Sequence, residues 1–518
     1  MSCCLAAQDY IVEKVMVPMR DGVKLATDVY HPASEGKPLD GKFPVLVTRS
    51  PYNKNGERKR GQYFAGHGYV FVAQDTRGRY GSEGEPYPLI HEGTDGYDSI
   101  EWAAAQPWSN GEVGTTGASY LAMDQYAAAI ERPPHLVAMY AAVGSENFYY
   151  DSTYHGGIPG LGWPVWLLLS AATDPHADKT TAHRLNDIVK HPNDWLSESR
   201  DRRAEIFRNF PVQLRAYRDF YAHPDFDGYW KQTGFDTADY YARMKDVPIY
   251  FVSGWYDSFA EATLANYAAL SKMQKTEKRL LMGPWPHGYG KSQCGEVSFG
   301  PEAALDENPL QLDWFDHWMR DRPYRIIGGE PVRYFLMGVG WKTATSWPPA
   351  EKSRTETVEI KSGAYDYDPA HPVHTLGGRN GAECIQNQTI ARPDILTTVG
   401  PVLSAPINLT GRVTATLWVS SSAPTADFMV KLIDVAPNGF AAPLLDSGQR
   451  VNFNRKGPRK VTIVLGNTSY LLPAGHRIRV DVTSSSFPKY EPNPHKAHNV
   501  VYDDAAHRSA VEIPAMDQ

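Results

Sequence analysis

Ser119, Asp257 and His287 are residue types that together can carry out acyl transfer, and each follows a strand-like run. Ser119 sits in Val113-Gly-Thr-Thr-Gly-Ala-Ser-Tyr-Leu121, an apolar strand that breaks into a tight turn and enters an Ala-rich helix, Tyr120 to about Ile130. A serine on a strained strand-to-helix turn exposes its hydroxyl, which is the shape of a nucleophile elbow. Gly117 leaves room for the close approach such a turn needs. The N-terminus of the following helix would favour negative charge at the reaction centre. Leu121 stands where a second glycine is usual, and G-x-S recurs by accident, so the elbow needs partners to be credible.

The partners lie downstream. Val247-Pro-Ile-Tyr-Phe-Val252 has the continuous β-branched and aromatic character of a buried parallel strand and leads into Ser253-Gly-Trp-Tyr-Asp257. Lys278-Arg-Leu-Leu-Met282 leads into Gly283-Pro-Trp-Pro-His-Gly288. In open α/β sheets, catalytic groups gather just beyond the carboxyl ends of strands. The order Ser119, Asp257, His287 is that of the α/β-hydrolases. A serine hydroxyl is a weak nucleophile, so an imidazole must take its proton and return it to the leaving group. The carboxylate fixes the tautomer of the imidazole and stabilises its charged form. A lone Asp or His at a strand end is more often a turn residue, but three in this order read as a triad.

Acyl transfer also needs donors for the developing oxyanion. The backbone N–H of Tyr120 is one candidate, and the loop Arg49-Ser-Pro-Tyr-Asn-Lys54 after the strand Phe43–Thr48 must supply the other. That loop lacks a glycine-rich run and offers the Tyr52 phenol. From the residues alone, Tyr52 either donates to the oxyanion or caps the sheet edge with its hydroxyl in water. Phe259, Trp163 and Trp166 are the aromatic candidates for a substrate pocket; the two tryptophans at i and i+3 equally describe one buried helix face.

Six segments extend the pattern: Ser50-Pro-Tyr-Asn-Lys54, Gln74-Asp-Thr-Arg-Gly78, Gln106-Pro-Trp-Ser-Asn-Gly111, Gly117-Ala-Ser-Tyr-Leu121, Gly254-Trp-Tyr-Asp257 and Gly283-Pro-Trp-Pro-His287. In order and spacing they resemble the cocaine-esterase-like hydrolases of the X-prolyl dipeptidyl peptidase superfamily, over essentially the whole chain. The resemblance implies Ser119 as nucleophile, His287 as base and Asp257 as its partner. It implies an oxyanion hole of the Tyr52 hydroxyl and the Tyr120 N–H. Ala122 departs from it, where the family's elbow usually has glycine, and a slightly shifted elbow with retained activity is expected.

The chain has 518 residues, 42% hydrophobic and 12% aromatic, with 52 basic against 59 acidic side chains and a net charge of −7. Two to four domains are expected for this length. Glu57-Arg-Lys-Arg60 is the one short basic cluster and reads as a solvated loop, so nucleic-acid binding is set aside. No apolar stretch reaches membrane-span length; Leu161–Leu169 is interrupted by Pro164 and fits a buried or pocket-lining helix. Met1–Ala7 could be the remnant of a signal segment: the chain as written reads as cytoplasmic, and a truncated leader would make it periplasmic or secreted. Cys3 and Cys4 are adjacent; Cys294 and Cys384 are free to pair, which the sequence leaves open. No zinc spacing occurs, and no metal or organic cofactor is expected.

The alternation of elements gives an α/β class with three parts. Residues 1–143 alternate strands (Ala26–Tyr30, Phe43–Thr48, Tyr69–Gln74) with helical stretches such as Gly96–Ala105. Residues 144–245 form a helical cap insertion, with helices expected over Trp195–Arg208 and Phe210–His223. Residues 246–350 complete the α/β-hydrolase domain and include an amphipathic helix, Leu312–Met319, in which His317 is a packing residue. Residues 351–518 alternate as a β-sandwich (Thr355–Ile360, Arg412–Val419, Phe428–Val435, Lys460–Val464, His476–Ser484), which the resemblance makes a jelly roll.

The resulting expectation is a serine hydrolase that cleaves a small-molecule ester, or less readily an amide, through an acyl-enzyme; a homodimer is compatible with it. Two rival enzymes, an X-Pro dipeptidyl peptidase and an α-amino-acid ester hydrolase or acylase, must hold a substrate ammonium with carboxylates near the nucleophile. Ala122 speaks against both, since the amino-acid-ester branch would want an acid there. A rival of another class is an inactive scaffold whose jelly roll binds a glycan, and the intact triad argues against it.

Overall fold

A computed structural model describes residues 9–350, 353–379, 384–455 and 457–517. Cys3, Cys4 and the Met1–Ala7 segment lie outside the described residues. Ten strands form the spine of one large mixed sheet: β1 (Asp9–Pro18), β2 (Lys24–Ser34), β3 (Phe43–Ser50), β4 (Val70–Asp75), β5 (Ser109–Ala118), β6 (Leu136–Ala142), β7 (Ile249–Gly254), β8 (Lys278–Gly283), β9 (Val332–Leu336) and β10 (Gly340–Ala344). Their spatial order is β1-β2-β4-β3-β5-β6-β7-β8-β9-β10, and a two-residue strand, Lys37–Pro38, pairs with β2. From β4 to β9 every pairing is parallel; β1, β2 and β10 are antiparallel margins.

The parallel strands β4, β7 and β8 are buried along their whole length, as strands covered on both faces must be. One face packs against α2 (Glu92–Ala104), α3 (Tyr120–Ile130) and α9 (Ala260–Met273), through Ile100, Tyr126, Leu264 and Tyr267. The other packs against α1 (Arg58–Gly66) and α10 (Glu307–Arg320), through Phe64, Trp314 and Phe315. His317, on α10, binds the Arg322 carbonyl at 2.7 Å and stacks on Tyr324, a packing role as expected.

Between β6 and β7 lie α4 (Gly162–Ala172), α5 (Lys179–Lys190), α6 (Asn193–Ser197), α7 (Arg200–Glu205) and α8 (Pro211–Ala222). Phe148, Trp163, Phe207, Phe220 and Trp230 form a core of this segment that runs on to Tyr120, Leu121 and Phe259. The single helix expected over Trp195–Arg208 is two short ones. Glu198 and Ser199 are extended, and the Ser199 hydroxyl caps α7 by accepting from the Arg202 N–H, which starts a new helix instead of continuing the old. Pro164 does not interrupt α4: it lies in the first turn, where its missing N–H has no helical partner to lose. Glu57–Arg60 is not a solvated loop either. It straddles the start of α1, and Arg60 pairs with Glu57 and Glu307.

The C-terminal part is a sandwich of a six-stranded and a four-stranded antiparallel sheet, with a separate core that includes Leu409, Val430, Leu445, Ile463 and Val480. The expected strands are present, and five more complete it: Gly363–Tyr367, Leu396–Val402, Ala441–Asn452, Ala497–Tyr502 and Ala510–Met516. Cys294 and Cys384 form a disulfide with Cα atoms 5.2 Å apart, tying the α/β part to the sandwich. Among the described residues no helix is long and apolar enough to cross a membrane.

Trp285, fully buried, is wedged between the ends of β7 and β8, and a Cβ on Gly254 would collide with its carbonyl. Gly254→Ala is therefore expected to cost about 1–3 kcal/mol by overpacking, read as a lowered Tm in calorimetry. An unchanged Tm would show that Trp285 can move aside.

Candidate active site

The three sequence candidates meet at the carboxyl edge of the sheet. Ser119 follows β5, Asp257 follows β7 and His287 follows β8, so three parallel strands converge on one point. Ser119 has φ 61° and ψ −121°, the strained conformation of an elbow. Gly117 permits it, since a Cβ there would run into Leu121, the residue that replaces the usual second glycine. Ala122, in the first turn of α3, is fully buried.

The His287 Nε2 lies 2.9 Å from the Ser119 Oγ, and the His287 Nδ1 lies 2.8 Å from the Asp257 Oδ1. Asp257 is wholly buried, and its other oxygen accepts from the Ser253 hydroxyl at 2.7 Å. His287 keeps 34% of its side chain exposed toward the cavity. Burial alone would lower its pKa below the ordinary 6.5, but the Asp257 charge and hydrogen bond outweigh burial, and the net shift is upward.

Tyr52 and Tyr120 flank the serine. Tyr120 opens α3, where a backbone N–H has no helical acceptor. Its phenol is held at both lone pair and proton, donating to the Glu92 Oε1 at 2.7 Å and accepting from the Leu89 N–H at 2.8 Å. Glu92 forms a buried pair with Arg49 at 2.7 Å. Asp75 fixes the Tyr52 loop by accepting from the Lys54 N–H at 2.7 Å. Tyr52 does not cap a sheet edge in open water: 40% exposed, it borders the cavity, and its hydroxyl accepts from the Trp166 Nε1 at 2.8 Å. Burial raises its pKa, and hydrogen bonds to Trp166 and Ser119 oppose the rise.

The cavity holds about 650 Å³, enough for a drug-sized ligand. Phe259, Trp163 and Trp166 all line it. The Phe259 ring stands 5.6 Å from the His287 ring, edge-on, while Trp163 and Trp166 are stacked with centroids 4.9 Å apart. Several lining groups were missed by sequence reasoning. Asp151 comes from a π-turn, Tyr149–Thr153, and Glu261 from the first turn of α9. Arg379, Arg412 and Lys489 come from the C-terminal part. Only the chain fold brings these residues within reach of Ser119, and no local motif marks them. Arg379 donates to the Glu261 Oε1 at 2.9 Å and to the Trp255 carbonyl at 2.8 Å, and Lys489 pairs with Asp446 at 2.8 Å.

The imidazole of His287 is expected to titrate above 6.5, with Asp257→Asn bringing it down, as followed by NMR. The sign has a consequence for stability. The Asp257–imidazolium pair contributes fully below about pH 6.5, and that contribution is lost as pH rises through the elevated folded value. An Asp257→Asn protein with an unshifted His287 would mean that the two do not interact.

Residues 21–289 match the family model of the X-Pro dipeptidyl-peptidase (S15 family), and residues 328–512 match the X-Pro dipeptidyl-peptidase C-terminal non-catalytic domain. The chain is 31% identical to cocaine esterase of Rhodococcus sp. (strain MB1 Bresler), over 93% of this chain and 92% of that one. Among solved structures it is similar to an aminopeptidase from a marine sediment Thaumarchaeota archaeon, with a TM-score of 0.81, 24% identity, and 100% and 98% of the two chains covered. An α-amino acid ester hydrolase has a TM-score of 0.80 at 22% identity, with 99% and 98% covered. These two likenesses bear on the fold, an α/β-hydrolase with an all-β C-terminal domain. The family match and the cocaine esterase relative bear on the chemistry: this chain belongs to the S15 family, and it is a serine hydrolase.

Proposed function

We propose that the protein is a carboxylesterase working through an acyl-enzyme on Ser119, with His287 as general base and acid and Asp257 as its orienting partner. The supporting observation is the continuous hydrogen-bonded chain Ser119–His287–Asp257, whose serine and histidine line the cavity. As the Ser119 oxygen attacks the ester carbonyl, its proton passes to the His287 Nε2. The carbonyl oxygen becomes an anion that takes hydrogen bonds from the Tyr52 hydroxyl and the Tyr120 N–H. The tetrahedral species collapses, the C–O bond to the alcohol breaks, and His287 returns the proton to the leaving oxygen. Water then repeats the sequence on the acyl-Ser119 ester and releases the acid.

Tyr52 is suited to this role because its oxygen already accepts from Trp166, which leaves its own proton free to be donated. Phe259 and the Trp163–Trp166 stack would hold the acyl or alcohol group. The Cys294–Cys384 bridge supports a periplasmic or secreted setting over a cytoplasmic one.

One observation favours a second reading, hydrolysis of α-amino esters or N-terminal amides. The Asp151 Oδ2 accepts from Ser145, Glu146 and Asn147, and Asp151 is among the residues that line the cavity. Burial pushes the Asp151 pKa up to about 6, with those donors opposing the rise, so it is an anion at neutral pH. A carboxylate in this place could hold an ammonium, and Ala122 would not need to.

Labelling by a fluorophosphonate probe should require Ser119 and be lost in Ser119→Ala, whose kcat should fall by about 10⁴- to 10⁶-fold with the fold intact. Substantial turnover by a folded Ser119→Ala would overturn the triad. Tyr52→Phe should lower kcat by about 10²- to 10³-fold with little change in KM. It should also destabilise slightly, because the Trp166 N–H loses its acceptor. Near-normal kcat would place the second donor elsewhere in the Arg49–Lys54 loop.

The two readings separate on matched esters with and without an α-amino group. The amino-ester reading expects a preference for the ammonium form that grows as pH rises through about 6 and disappears in Asp151→Asn. A simple esterase shows no such dependence on Asp151.

A further inference from the structure

Arg79 belongs to the Gln74-Asp-Thr-Arg-Gly-Arg79 stretch that ends β4 and continues into the turn beyond it, is 4% exposed, and pairs with no carboxylate among the described residues. Burying a guanidinium without an anion is costly unless its donors are all met. Here they are met by neutral oxygens of two segments. The Nε donates to the Pro51 carbonyl at 3.0 Å. The Nη1 donates to the Ser170 carbonyl at 3.0 Å and to its hydroxyl at 3.3 Å. The Nη2 donates to the Thr173 hydroxyl at 2.8 Å and to its carbonyl at 3.3 Å.

These acceptors explain the placement. Pro51 immediately precedes Tyr52. Ser170 and Thr173 close α4, whose last carbonyls lack helical partners and whose C-terminal end favours a cation. They also follow Trp166 by four and seven residues, so all three share one face of the helix. One face of α4 therefore grips the Tyr52 loop twice, through Arg79 at its end and through the Trp166 indole on the phenol oxygen in its middle.

We propose that Arg79 is a positioning residue for the oxyanion tyrosine, stapling the Pro51–Tyr52 turn to α4 so that the Trp166 N–H fixes the direction in which Tyr52 donates. The proposal rests on the reading of Tyr52 as an oxyanion donor. It makes α4 of the insertion part of the catalytic geometry as well as a wall of the pocket. Without the staple, the loop and α4 could drift by a fraction of an ångström, and a phenol rotated off the developing oxyanion donates poorly. The positive charge of Arg79 also acts on the Tyr52 oxygen in the direction that favours negative charge nearby.

The test is a double-mutant cycle on an acetyl aryl ester, small enough to leave the tryptophan stack lightly used. Arg79→Met is expected to lower kcat about 10- to 100-fold with KM within about twofold, and Arg79→Lys to recover part of the loss. Trp166→Phe, which removes the N–H and keeps a ring, should lower kcat in the same way. In a Tyr52→Phe background both losses should shrink to within about twofold, because the group being positioned is gone. Equal losses in both backgrounds, or a folded Arg79→Met with normal kcat, would overturn the staple. Should Arg79→Met not fold, Trp166→Phe carries the cycle with the same expectation. The single Tyr52→Phe distinguishes the failures: if it leaves kcat intact, the oxyanion reading has failed and the staple with it. If it costs activity while the cycle is additive, the staple alone has failed.

Discussion

A serine at φ 61° and ψ −121° sits in a backbone conformation that costs on the order of 1–3 kcal/mol, and the surrounding structure must hold it there. The central parallel strands do this first. The Ser119 N–H donates to the Ala142 carbonyl at the end of the neighbouring strand, and the Ser119 carbonyl accepts from Ala122 and Met123 in the first turn of α3. These bonds fix where β5 stops, how α3 leaves it, and where the Tyr120 N–H points. The rest of the site is arranged about that one turn.

Around the elbow, buried charge sets geometry more than it adds stability. Arg49 pairs with Glu92 and also donates to Gln74; Arg77 pairs with Asp95 through two hydrogen bonds; and Glu92 accepts from the Tyr120 hydroxyl. Buried pairs often contribute little net stability, because desolvation offsets their attraction. Removing one partner, however, strands the other in the interior. The network thus penalises movement of α2 against the elbow helix, and Asp75 and Arg79 extend the same logic to the Tyr52 loop.

The all-β part is bound into the site and is more than an appendage. Arg379 reaches back to the Trp255 carbonyl, two residues before Asp257, and shares Glu261 with the Asn467 backbone and side chain. On the insertion side, Glu491 receives Arg200, Arg203 and the Tyr221 hydroxyl. The cavity is therefore walled by three segments of chain, and Arg379, Arg412, Asp446 and Lys489 add charged groups to it from beyond residue 370.

Local physics made the framework legible in the sequence. Short β-branched runs bounded by turn residues read as buried strands, Gly117 two residues before a serine leaves room for a close turn, and the helix Tyr120–Ile130 was read to its ends because alanine-rich sequence has one strong preference. The same reasoning located Ser119, Asp257 and His287, since each follows its strand within four residues. It failed where a short polar side chain decides locally, as when Ser199 caps a new helix. It failed too over short segments such as Gly363–Tyr367, whose partner strand, Ala497–Tyr502, is remote in the chain. What tertiary structure alone decided was the surroundings of the serine. Tyr52 borders the cavity because α4 packs over it. Asp151 meets Glu261, and Arg379 and Lys489 reach the pocket from residues more than 250 positions after Ser119. Spacing along a chain carries no record of such meetings, because they are set by how separately folded layers dock.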